Sequence, residues 1–196
     1  MPRVEPAEYE ALPLEAHRIA REFAPIHDVW RSELEGGRPR TVAELRSALT
    51  AGHIRELPLA VRGLFGLRSA LGRIFNLDAT SSGAADRKRL VAQLPSHVAR
   101  ASSVPPGTAD GAFELLYMLP DEAAYQVHNA TVHAIVVVAL SRADPDQRFY
   151  WATYVRSVGR ITSLYMGLID PFRRWIVYPG LESWLKRSWR SLDGER

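Results

Sequence analysis

The sequence predicts an α+β domain in which a curved antiparallel sheet wraps around one long C-terminal helix, with further helices inserted after the first strand. Three features lead there. Residues 111 to 156 divide into β-branched and aromatic runs separated by turn residues, the pattern of an antiparallel meander. After Gly159 the apolar period changes from two to about 3.6, so that Ile161, Leu164, Tyr165, Leu168, Phe172, Trp175 and Ile176 form one broad stripe. An early strand, Ile26 to Leu34, stands apart from the meander behind a helical stretch. The 196 residues suit one domain, 1–196, with residues 1–25 as an N-terminal extension and residues 78–110 as a loop or lid.

Taken in order, residues 6–24 are rich in Glu, Ala, Leu and Arg, and a helix can begin after Pro13. In the early strand Ile26, Asp28, Trp30 and Ser32 alternate with His27, Val29, Arg31 and Glu33, before Glu35-Gly36-Gly37-Arg38-Pro39 breaks the chain. Thr41 with Glu44 three positions on is a capping box, followed by Val42, Leu45 and Leu49 on one stripe. Apolar residues recur at helical spacing from Pro58 to Phe75. Gly63, Gly66 and Gly72 weaken such a helix by about 1 kcal/mol each, which implies close packing or two segments. Within 78–110, a short strand around His97 to Ala101 is the most regular element expected. Strands follow at Gly111 to Met118, Ala123 to His128, Thr131 to Leu140 and Phe149 to Arg156, with turns at Pro120-Asp121 and Ala143-Asp144-Pro145-Asp146. Ala134 to Leu140 is apolar on both faces, as in a strand covered on both sides or at the sheet centre. Pro171 kinks the long helix, Pro179-Gly180 ends it, and Leu181 to Trp189 adds one amphipathic piece.

Composition narrows the function classes. Lys and Arg number 25 against 22 Asp and Glu, and the net charge of +3 is spread along the chain. A nucleic-acid binder gathers its cations on one face, so no nucleic-acid partner is expected. The cluster of Lys186, Arg187 and Arg190 beside Trp184 and Trp189 reads as a solvated last helical turn. The absence of cysteine excludes disulfides, thiolate metal sites and cysteine nucleophiles. Met1 to Glu8 lacks a signal-peptide core, and Ala134 to Leu140 falls far short of the roughly 20 residues of a membrane span. A cytoplasmic protein without stable membrane insertion is expected. No phosphate loop, nucleophile elbow or zinc-protease motif occurs. His128 and His133, five apart on extended chain, are expected on opposite faces, so neither metal nor cofactor is expected.

A meander followed by one long helix, with helices inserted after the first strand, is the order of a helix-grip, START-like fold. There the curved sheet and the C-terminal helix enclose a cavity. Leu57-Pro58, Leu64-Phe65-Gly66-Leu67-Arg68, Leu71-Gly72 and Phe75-Asn76-Leu77 carry a closer likeness, as does Tyr154 to Arg160 continuing through Tyr165, Pro171, Arg173 and Ile176-Val177. Together they resemble a bacterial domain-of-unknown-function family, number 2867, over residues 55 to 180. The resemblance implies kinship with polyketide-cyclase and lipid-transfer domains and little about chemistry. Family members often place an acidic, histidine-containing pattern where this chain has Asn129, Thr131 and His133, and a histidine where it has Phe172. These departures imply a pocket altered for its own ligand.

His133 alternates with Thr131 and Ile135 on the central strand and can serve as a general acid or base, or as an ordinary core histidine. Tyr117, Tyr125, Tyr150, Trp151 and Tyr154 can line an apolar cavity while a phenol meets a ligand carbonyl, although strands favour aromatics in any case. Arg68 and Arg156 stand in apolar surroundings, where a guanidinium can pin a carboxylate or tie a helix to the sheet. The catalytic candidates are His133, Tyr125 and Tyr154; the ligand-binding candidates are Tyr117, Thr131, Trp151, Arg156, Tyr165 and Arg68. The expected function is to bind a small, largely apolar molecule in an internal cavity, with cofactor-independent cyclisation, isomerisation or dehydration as its catalytic form. A non-catalytic carrier or sensor is one alternative. A protein-interaction module built on Trp175, Trp184 and Trp189, in a homodimer, is another.

Overall fold

A computed structural model of the chain describes residues 1–36, 38–51, 90–110, 113–128, 132–143, 145–157, 171 and 173–192. Two short helices come first, α1 (Pro6–Glu10) and α2 (Ala16–Phe23), then β1 (Ile26–Leu34) and α3 (Val42–Ala51). A further helix, α4 (Ser96–Ala101), leads to β2 (Ala109–Asp110), β3 (Phe113–Met118), β4 (Glu122–His128), β5 (Val132–Ala143) and β6 (Asp146–Ser157). A π-helical turn at Arg173–Val177 opens into α5 (Tyr178–Ser191). The strands form one curved antiparallel sheet in the order β1-β6-β5-β4-β3-β2. The meander and the early strand therefore join as one sheet, because β1 pairs along the free edge of β6 from Ile26↔Tyr154 to Leu34↔Gln147.

Two local expectations change. The segment expected as a strand around His97 to Ala101 is α4. Pro95 precedes it, alanine and arginine favour the helix, and Val98 is its buried anchor. Pro179-Gly180 does not end the C-terminal helix but lies in the first turn of α5, where a proline removes no needed hydrogen bond. The predicted helix at 58–75, like the stripe at 158–170, falls outside the described residues.

The sheet is buried on both sides. On one face, called here the N-terminal face, Tyr9 of α1, Ala16, Ala20 and Phe23 of α2 and Val98 of α4 pack on Tyr117, Ala124, Ile135, Val137, Tyr150, Ala152 and Tyr154. On the opposite, C-terminal face, Val42 and Leu45 of α3 and Leu185 and Trp189 of α5 pack on Leu34, Leu115, Met118, Ala123, Leu140 and Phe149. This layering explains why β5 is apolar at every position from Ala134 to Leu140. A register shift between Ile26 and Asp28 turns Ile26 toward the N-terminal face, while Trp30 and Leu34 belong to the other.

Polar contacts fix the layers. Tyr150 donates to Glu8 Oε1 at 2.9 Å and Arg31 reaches the same oxygen at 2.7 Å, tying α1 to the sheet. Gly36, at φ 76°, takes the left-handed turn out of β1 and donates its N–H to Asp146 at 3.0 Å. At the start of α3 the Glu44 N–H donates to Thr41 Oγ1 at 3.3 Å, while the Thr41 N–H donates back to Glu44 at 2.9 Å. Both halves of the capping box are thus formed. Among the described residues no helix is long and apolar enough to cross a membrane.

Replacing Thr41 by alanine removes one half of that box and is expected to lower the unfolding free energy by about 1 kcal/mol. Urea denaturation followed by far-UV circular dichroism reads the loss. A variant as stable as the parent would show that α3 does not depend on its cap.

Candidate functional site

The sheet separates the expected catalytic residues. His133 and Tyr154 lie on the N-terminal face, whereas Tyr125 and Trp151 lie on the C-terminal face with Val138. His133 is 3% exposed, edge-on to Phe23 of α2 at 4.6 Å, with its Nε2 3.4 Å from Gln126 Oε1. Arg156, on the same face, donates to the Phe23 carbonyl at 3.0 and 2.6 Å and lies over the Phe23 ring, so it caps the C-terminal end of α2. Thr131, Tyr165 and Arg68 lie outside the described residues.

The two histidines correct their expected placement. His128 and His133 face each other directly across the β4–β5 hairpin, with ring centroids 4.5 Å apart. Residues opposite one another in an antiparallel pair share a face, whatever the number of residues in the turn between them. Among the described residues they are joined by no third ligand in a metal-binding group.

Tyr9, Tyr117 and Tyr154 gather beneath α1 and α2, each buried, with the Tyr9 and Tyr154 phenols interacting with each other and the Tyr117 phenol with Glu122. Beside them lies Glu122 of β4, 3% exposed. Its carboxylate accepts the backbone N–H groups of Glu15 at 2.9 Å and Ala16 at 3.3 Å, capping α2 from across the interface. Burial raises the Glu122 carboxyl to about 7, overriding these two donors. Burial likewise lifts Tyr154 to about 12 and Tyr125 to about 12, and both stay protonated as weak donors rather than bases.

An open groove of about 280 Å³ runs along the C-terminal face, where β1 meets the turn that leads into α5. Its floor is an ion pair between the buried Asp28 and the half-buried Arg173. Arg173 Nη2 stands 3.0 Å from Asp28 Oδ2 and 3.4 Å from the Thr153 hydroxyl, and it also bonds the Tyr178 hydroxyl. Burial holds the Tyr178 phenol well above its ordinary range, with the Arg173 charge opposing that rise. Trp30 stacks on Tyr178 at 4.1 Å to form one wall. Arg3, Arg174 and Trp175 line the rest, Trp175 being 77% exposed. Trp189, by contrast, is 1% exposed with the Arg40 guanidinium 4.5 Å from its ring, which removes it from any exposed tryptophan patch.

Of the groove residues only Trp175 was singled out on sequence grounds, as part of an interaction surface rather than a ligand site. One signal was present: Asp28 falls in the same alternating set as Ile26 and Trp30, and a carboxylate on the buried side of a strand requires a cationic partner. What the sequence lacks is the fold that brings Arg173 across to it.

A family model described as a protein of unknown function matches residues 21–180. No curated protein and no solved structure matches the chain. The matched stretch starts within α2, so it takes in β1 as well as the meander.

Glu122 makes stability depend on pH in a definite direction. Between its ordinary value of 4.5 and about 7 the folded chain keeps a proton that the unfolded chain releases. Its contribution is therefore fully present below 4.5 and is lost as pH rises through about 7. Replacing Glu122 by glutamine removes the titration. The unfolding free energy of the parent relative to that variant is expected to fall by on the order of 3 kcal/mol between pH 4.5 and pH 8. Chemical denaturation at both pH values checks this, and a difference constant with pH would contradict it.

Proposed function

The chain belongs to the DUF2867 family of proteins of unknown function, and from that footing and the groove we propose that it binds a small, largely apolar molecule against the C-terminal face of the sheet. The observation that carries this reading is an aromatic-walled recess with its internal charges already paired. Trp30 and Tyr178 give a flat apolar wall, Trp175 stands exposed at the opening, and Asp28 and Arg173 satisfy each other. Trp175 adds its ring to the aromatic surface around that wall. At about 280 Å³ the recess sits at the lower edge of the roughly 300–1,000 Å³ range of small-molecule sites, which sets the size of the ligand.

The strand order, the helix inserted after β1 and the terminal helix support a helix-grip, START-like fold, in which the ligand lies between the sheet and the C-terminal helix. The groove occupies that same face. Carriage or sensing is favoured over cyclisation, isomerisation or dehydration. His133 and Tyr154 are on the opposite face from Tyr125, so the three do not meet around one ligand, and Arg156 is engaged in capping α2.

Titration with the neutral apolar fluorophore N-phenyl-1-naphthylamine is expected to saturate at one probe per chain. Trp175→Ala should weaken that binding about tenfold, close to 1.4 kcal/mol, and Trp184→Ala should leave it unchanged. A response that never saturates, or that ignores the loss of Trp175, would sink the proposal.

A further inference from the structure

The charge around the groove is one-sided. Asp28 and Arg173 neutralise each other across 3.0 Å, and the other two charged lining residues, Arg3 and Arg174, are both cationic and exposed. Arg3 is held at the rim by a β-bridge to Trp30 and by donation from its Nη2 to the His27 carbonyl at 3.2 Å. Trp30, which forms the groove wall with Tyr178, is 6% exposed. Guanidinium groups recognise flat anions by paired hydrogen bonds, and aromatic walls take the apolar remainder of the same molecule.

We infer that the groove recognises an amphiphilic monocarboxylate, its apolar body against Trp30, Tyr178 and Trp175 and its carboxylate set between the Arg3 and Arg174 guanidinium groups. This rests on the binding function proposed above and adds the charge of the ligand. An ammonium amphiphile meets two like charges in the same place and is disfavoured.

Isothermal titration of the intact protein with decanoate, decanol and decylamine, each below its micelle concentration, tests the inference. Decanoate should bind about tenfold tighter than decanol, with decylamine weakest, and the advantage should shrink in ~0.5 M NaCl. Arg3→Gln combined with Arg174→Gln should bring decanoate close to decanol. Equal affinity for decanoate and decanol overturns the anionic preference and leaves an apolar groove standing. Failure of all three ligands and of the naphthylamine probe overturns both. Co-sedimentation with phosphatidylglycerol vesicles without any response to decanoate also overturns the inference, because it assigns the cations to a lipid surface.

Discussion

The fold depends on a strand that has no polar side. From Ala134 to Leu140 every residue of β5 is apolar, so a single covering layer leaves half of its side chains in water. The chain supplies two layers, one on each face. The N-terminal helices cover Ile135, Val137 and Ala139, and α3 with α5 covers Leu140 and its neighbours on the other face. The meander is therefore the centre of the molecule rather than one of its walls. Side chains that resemble cavity lining, such as Tyr117 and Tyr154, are instead packed against helices.

The N-terminal layer is held by charge as well as by apolar contact. Helix α2 is gripped at both ends by residues of the sheet. Glu122 of β4 accepts its first N–H groups, and Arg156 of β6 donates to its last carbonyl. The acceptor meets the orphan N–H groups at the start of the helix and the cation meets the carbonyl at its end. The C-terminal face uses charge differently, since Asp28 and Arg173 answer each other and leave aromatic surface around them. One face thus spends its ionic groups on docking a helix, and the other keeps a recess open.

The regular elements were legible because they rest on local rules. The β1 run of Ile26–Leu34, the Thr41 and Glu44 capping box and the meander follow from period, turn residues and capping chemistry. Long-range pairings were not. The facing of His128 and His133 depends on hairpin register rather than on their separation in sequence. Arg156 looks like a lone cation until the end of α2 arrives beside it. The candidate site was least legible of all, because Asp28 and Arg173 lie at opposite ends of the chain and only the sheet brings them together.

The pairing of β1 with β6 joins segments roughly 120 residues apart, and it sets the order in which the molecule can assemble. Strands β3 to β6 are hairpin neighbours and can zip locally, but β1 has no partner until β6 exists. Helices α1 and α2 must wait as well, because their packing surface includes Tyr150, Ala152 and Tyr154 of that strand. During synthesis the first quarter of the chain therefore leaves the ribosome long before the surface that receives it. Closure of the core is a late event, slow in the way of folds dominated by distant contacts, and Trp30 and Phe23 stay exposed to quality-control factors until it happens.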